Sequence, residues 1–532
     1  MPARRFFREP RRRGDQPVVQ PGLLDWRMLP RPSPARPLGK HVYKAQVLLL
    51  REELLAVQQQ LRQAPFPVIV LFSGVDGAGK GETVNLLHEW MDPRWLRTHA
   101  YAEPSDEERE RPEHWRFWRD LPSNGQIGIL MNAWYATPIE QRAHRRTSPA
   151  EFRAELSRIA RFERLLADDG ALILKFMMHL ERDTQRARLK ALERDPLTRW
   201  RVTDEQWRHA RSYEELVEAE AIAVRLTDAG QAPWTVVDGS DERHRSLVVG
   251  RTLRDRIRRR IDDVTRGRRR RDGRVARVLA RRAAAGPTPG RRGAGRLAAL
   301  DMSRAADKGR YDVELTRAQG RLNLLHRKAG KRGISTIVVF EGWDAAGKGG
   351  AIRRVAWALD ARDYQVISVA APTDEERAHH YLWRFWRQLS RGGRLTVFDR
   401  SWYGRVLVER VEGFARPDEW KRAYAEINDF EAQLLAHDIV LVKYWLHITR
   451  DEQLRRFQQR QRLPHKRWKL TDEDWRNRRR WPAYEHAVDD MVALTSTRQA
   501  PWILVEGNDK NYARLKVLQT LGDRLARALE EE

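Results

Sequence analysis

The chain has 532 residues, 41% of them hydrophobic, and its 101 Lys and Arg against 74 Asp and Glu give a formal net charge of +27. That length allows two or more domains with large cores, and that charge points to polyanionic partners. The lack of cysteine excludes a disulfide framework, a thiolate metal site and a cysteine nucleophile. It suits a reducing compartment, and the cytoplasm is the expected location. No apolar run reaches the ~18 to 20 residues of a membrane span, and the Arg- and Pro-rich start lacks the apolar core of a secretory signal.

Residues 1–39 read as a basic, mobile tail. The first apolar run, Pro67 to Phe72, leads into Gly74-Val75-Asp76-Gly77-Ala78-Gly79-Lys80-Gly81, and Ser335 to Phe340 leads into Gly342-Trp343-Asp344-Ala345-Ala346-Gly347-Lys348-Gly349. A glycine-rich turn between a strand and a helix points backbone N–H groups into one concavity, adds the helix dipole and brings a lysine to the terminal phosphate. The hydroxyl residue that usually follows the lysine is Gly81 in one loop and Gly349 in the other. Each loop instead holds an acid, Asp76 or Asp344, and a carboxylate is a better ligand for a hard cation.

The two loops belong to a duplication. A single shift of 268 residues carries Lys80 onto Lys348, Trp118 onto Trp386, Tyr135 onto Tyr403, Glu163 onto Glu431, Lys175 onto Lys443 and Trp234 onto Trp502. In the second copy, Ser335 to Phe340, Gln365 to Ala370, Arg394 to Phe398, Ile439 to Ile448 and Trp502 to Glu506 read as strands. Lys348 to Leu359, Pro417 to Ala436 and Asp451 to Arg460 read as helices between them. This alternation predicts an α/β fold with a mostly parallel sheet and helices on both faces, its phosphate site at the carboxyl ends of the strands. The expected organisation is an N-terminal P-loop domain at 40–250, an Arg-rich helix end and linker at 251–307, and a C-terminal P-loop domain at 308–532. Between Arg251 and Ala299 eighteen Arg face four Asp, about half of the net charge.

Phosphoryl transfer needs a phosphate cradle, carboxylate-held metal and cations for the transferred group. In the second half the cradle is Gly342, Ala345, Ala346, Gly347, Lys348 and Gly349. Asp399, at the end of a strand, is the candidate for a second metal-linked carboxylate beside Asp344, and Arg400 and Arg405 are suited to fork onto phosphate oxygens. The basic run Arg460 to Lys469, between two helices, suits a helical lid that closes over phosphates and excludes water. In the first half Asp399, Arg400 and Arg405 are replaced by Met131, Asn132 and Thr137. The N-terminal copy, which keeps Asp76 and Lys80, is therefore expected to be degenerate and to serve packing, polyanion binding or assembly.

The loop at Gly342, the run Ala371 to Arg377, Trp383-Arg384-Phe385-Trp386, Phe398 to Arg405 and Lys466 to Trp475 together closely resemble the polyphosphate kinase 2 family, in its two-domain polyphosphate:AMP phosphotransferase branch. The resemblance covers about residues 40–250 and 308–520. It implies a thymidylate-kinase-like fold, Mg2+ (or Mn2+), inorganic polyphosphate as donor and AMP as acceptor giving ADP, with Arg462, Lys466, Arg467 and Lys469 as lid contacts to the polyanion. Two other readings stand beside it: an ATP-dependent nucleotide kinase, and a P-loop protein that binds nucleic acid as a nonspecific polyanion. Homo-oligomer formation is left open, and no membrane partner is expected.

Overall fold

The computed structural model describes residues 38–282, 296–463 and 470–530, and of residues 268–282 the backbone alone. The tail before residue 38, the Ala- and Gly-rich stretch 283–295 and the lid residues Lys466, Arg467 and Lys469 lie outside the described residues. Each half is built on a five-stranded parallel sheet. In the first, β1 (Val68–Gly74), β2 (Leu96–Ala100), β3 (Ile127–Met131), β4 (Leu172–His179) and β5 (Trp234–Asp238) lie in the order β2-β3-β1-β4-β5. In the second, β6 (Thr336–Gly342), β7 (Tyr364–Ser368), β8 (Leu395–Asp399), β9 (Val440–His447) and β10 (Trp502–Glu506) repeat that order as β7-β8-β6-β9-β10.

The loop-bearing strands β1 and β6 are central, which explains why they read as unbroken apolar runs: strands covered on both faces need apolar residues at every position. Phe340 pairs with Asp399 across β6 and β8, and Phe72 with Met131 across β1 and β3. The register thus brings residue 399 to the mouth of the phosphate loop. Consecutive residues on β9 point to opposite faces. Lys443 reaches Glu431 on the helix Pro417–Leu435, while the Tyr444 hydroxyl donates to the Val517 carbonyl on the helix Lys510–Glu530. Helices therefore cover both faces, as the alternation predicts. The helix Glu242–Arg282 runs 41 residues and takes Arg266 to Arg271 into its length.

The halves meet in reciprocal fashion. Trp118 stacks on Trp386, its own counterpart at the 268-residue shift, with ring centroids 5.7 Å apart and planes 14° from parallel. The Asn124 amide donates to the Ala378 carbonyl at 2.9 Å, and at the counterpart positions the Gly392 amide serves Glu110. Arg391 forks onto Glu110 at 2.6 and 2.7 Å, and Arg422 reaches Asp169 at 2.8 Å. One apolar core runs through this contact, taking in Phe162 and Phe430. Such self-matching contact is how two copies meet about a two-fold axis.

Both halves also keep one buried polar knot. Lys443 lies 2.7 Å from Glu431, which accepts from Tyr403 at 2.6 Å and from the Trp402 indole at 3.1 Å, while Lys443 also donates to the Thr495 carbonyl. Lys175, Glu163, Tyr135, Trp134 and Thr227 repeat it in the first half. Removing one member of a buried pair strands the other charge, at about 3–5 kcal/mol. Glu431→Ala is expected to lower the denaturant midpoint accordingly, and Glu431→Leu combined with Lys443→Met to recover much of the loss in the same melts.

Candidate active site

The C-terminal loop crosses from β6 to the helix Lys348–Trp357. Gly342 is required here because its φ is 149° and a Cβ would collide with the Leu446 backbone. Lys348 donates to the carbonyls of Gly342 and Trp343 at 2.8 and 3.4 Å, which holds its ammonium over the turn. Below the turn, Arg456 is buried and donates to the carbonyls of Ala345, Ala346, Gly507 and Asn508, clamping the loop from outside. Trp343 stacks on Trp481 with centroids 3.6 Å apart and so fixes the loop on its other side.

The loop opens onto a cleft of about 810 Å³. Asp344, Asp399 and Asp474 line it, with Lys348, Arg353, Arg400, Arg460, Lys510 and Arg514. Asp344 is held from two sides, by Arg400 at 3.3 Å and by the Asn477 amide at 2.9 Å. Arg400 sits in the left-handed region at φ 67°, a conformation that costs a non-glycine residue about 1–2 kcal/mol and that turns its side chain back over the loop. Arg405 is not brought to the cleft: it pairs with Glu409 at 3.1 Å and lies over the Tyr381 ring. Arg462 ends the helix Arg450–Arg462, whose Gln459 and Arg460 reach the cleft.

Beneath the loop lies an acid that the sequence motifs do not single out. Glu341, at the end of β6, is 6% exposed and accepts from the Ser401 hydroxyl at 2.9 Å. Burial pushes its carboxyl up to about 7, against the opposing pull of Lys348 and Ser401. The carboxyl of Asp474 is also raised, by burial and then by Asp344. Asp344, Asp399 and Asp474 line the cleft with hard oxygen donors, the kind that suits Mg2+ or Mn2+ and not a soft ion.

The N-terminal loop keeps the backbone of this site and reverses its charge. At the positions of Arg353, Arg400, Arg460, Lys510 and Arg514 stand Asn85, Asn132, Leu192, Glu242 and Ser246. The space itself is filled. Arg245, where the other half has Ala513, is fully buried, lies against Gly79, donates to Thr83 at 3.1 Å and pairs with Glu82 at 2.7 Å. Glu82 and Thr83 in turn replace Gly350 and Ala351. These residues lie in ordinary helix sequence, and only position-by-position comparison of the halves exposes them.

The model of one family, polyphosphate kinase 2, matches residues 37–264 and again 305–532. The chain belongs to the polyphosphate kinase 2 family. It is 47% identical over 496 residues to a polyphosphate:AMP phosphotransferase of Pseudomonas aeruginosa, covering 93% of this chain and 98% of that one. To a polyphosphate:AMP phosphotransferase of Acinetobacter johnsonii it is 35% identical, covering 85% of this chain and 90% of the relative. The crystal structure of a putative polyphosphate kinase 2 from Pseudomonas aeruginosa PA01 superposes with a TM-score of 0.81 at 44% identity, over 93% of this chain and 98% of that chain. The family match falls on both halves, so the duplication is of a whole family domain.

An ionised Glu341 adds negative charge under Asp344 and Asp399 and so favours a bound cation. As pH rises through about 7 that charge develops. The Mg2+ concentration needed for half-maximal turnover is therefore expected to fall between pH 6 and pH 8. Glu341→Gln, which keeps the bond to Ser401, should flatten that dependence in a Mg2+ titration at each pH.

Proposed function

We propose that the C-terminal half transfers the terminal phosphoryl group of inorganic polyphosphate to AMP, giving ADP and a chain shorter by one phosphate. The observation that carries this reading is the cleft at Lys348, where a phosphate loop, convergent carboxylates and a wall of Lys and Arg occur together in one half of the chain. A long wall of cations suits a polyanionic donor better than the triphosphate of a single nucleotide. The names of the relatives support the same donor and acceptor.

In this reading the loop amides and Lys348 hold the phosphoryl group that moves. Arg400 stabilises charge on its equatorial oxygens, and Arg353, Lys510 and Arg514 take the following phosphates of the donor. Arg462 and the lid residues Lys466, Arg467 and Lys469 close over the polyanion. Asp344 and Asp399 would hold Mg2+, or Mn2+, which when bound neutralises the charge that develops on the transferring and leaving oxygens. An oxygen of the AMP phosphate attacks the terminal phosphorus in line, the bridging P–O bond breaks, and the shortened chain leaves with the electron pair. The attacking oxygen is already ionised near neutral pH, so no protein base is needed. In this reading Asp344 serves the metal or orients that oxygen. Arg405 acts at one remove, fixing Tyr381 and Glu409 behind the strand end. No described helix is long and apolar enough to cross a membrane, and the cysteine-free chain suits a reducing compartment such as the cytoplasm.

Mixing the full chain with polyphosphate, AMP and Mg2+ should yield ADP. Asp399→Asn and Lys348→Ala should abolish it, Arg400→Ala should lower kcat on the order of 10³-fold, and Lys80→Ala should leave it unchanged. ADP formation from ATP and AMP alone, with none from polyphosphate, would overturn the assignment in favour of an ATP-dependent kinase.

A further inference from the structure

The N-terminal loop has gained groups as well as lost them. His209 stands where the other half has Asn477, Glu140 where it has Val408, and Glu220 where it has Val488. His209 takes over the bond that Asn477 makes in the working half, its Nδ1 lying 2.7 Å from Oδ2 of Asp76. An ionised carboxylate only accepts, so the proton sits on Nδ1, and in the neutral ring the lone pair of Nε2 faces away from Asp76. That nitrogen lies 3.6 Å from Glu140 Oε1. Glu205 precedes His209 by four residues on the helix Asp204–Arg211, which sets the two side chains on one face. Glu140 comes from a separate helix, Ala136–Ala143. One ligand atom from each of Glu140, Glu205 and His209 falls within 4.8 Å of the others.

We propose that Glu140, Glu205 and His209 bind a divalent transition-metal ion, with Asp76 holding the imidazole from behind. A carboxylate on the far nitrogen fixes the tautomer and orientation of a ligating histidine and raises its basicity. One imidazole and two carboxylates, completed by water, suit Zn2+, Co2+ or Mn2+, whereas Mg2+ prefers oxygen donors throughout. A second observation points the same way. Glu220, 5% exposed, lies beside the cluster, where burial and then Asp76 raise its carboxyl to about 8 against the pull of Lys80 and His209. Asp76, Glu140 and Glu205 thus gather around His209, and a dication offsets that excess of carboxylate. The site uses the shell of the former phosphate cradle with its charge reversed, and it is independent of the chemistry proposed at Lys348.

The test is titration of the metal-stripped full-length protein with Zn2+, followed by calorimetry, and with Co2+, followed by its visible absorption. One equivalent is expected that survives Asp399→Asn. His209→Asn, which installs the residue of the working half, should weaken that equivalent on the order of 100-fold and remove the Co2+ band, as should Glu140→Gln; Asp76→Asn should weaken it about 10–100-fold. ADP formation from polyphosphate and AMP with Mg2+ should be unchanged in His209→Asn and Glu140→Gln, which also reports that both variants fold. An equivalent that persists undiminished in both variants, or one lost in Asp399→Asn instead, would overturn the proposal and leave His209 as a cation bridging Asp76 and Glu140.

Discussion

The cleft at Lys348 depends on a buried ion pair that never touches it. Glu431 and Lys443 lock the helix Pro417–Leu435 to β9, and the same carboxylate holds Trp402 and Tyr403, the residues that directly follow Asp399, Arg400 and Ser401. The turn that carries Arg400 through its left-handed conformation is therefore tied down at its far end by hydrogen bonds in a water-excluded interior, where they are strong and costly to leave unmade. A carboxylate and an arginine aimed at a phosphate group lose their worth with an ångström of play. The knot supplies the stiffness.

The first half shows that this knot belongs to the frame and not to the chemistry. It retains the knot with the same partners, and it retains Lys80, Asp76 and the clamp by Arg188 on the Gly77 carbonyl of the loop. What it has exchanged is the polar surface that a polyanion would meet, and it has put the Arg245 and Glu82 pair into the vacated space. A fold with a parallel sheet and a stiff strand-end turn tolerates such exchanges because its core has no stake in a ligand.

Much of this was legible in the residues alone. Strand runs, loop motifs and the 268-residue shift follow from short-range periodicity, and the structure reproduces the parallel sheets and the helices on both faces. Asp344, Lys348, Asp399 and Arg400 stand in contiguous motifs, and they meet in one cleft. Arg405 does not join them, because the 3-10 turn at Trp402–Arg405 swings it toward Glu409, and no linear pattern encodes that turn. Glu341 hid inside an apolar strand. Lys510 and Arg514 lie more than a hundred residues after the loop, on a helix whose packing alone brings them back to it. His209 and Glu140 became visible only against their counterparts, since an isolated His or Glu in a helix carries no message.

The reciprocal contact of Trp118 with Trp386 bears on how such a chain can change. In an assembly of two identical subunits every substitution appears twice, so a residue that spoils one site spoils both. Joining the copies into a single polypeptide while keeping their two-fold contact breaks that bond between the sites: one copy must stay fit for the reaction, and the other is free to drift so long as it still presents its half of the interface. Arg245, Glu82 and His209, which face Ala513, Gly350 and Asn477 at the matching positions, show how far the two sides of the pseudo-symmetry axis differ.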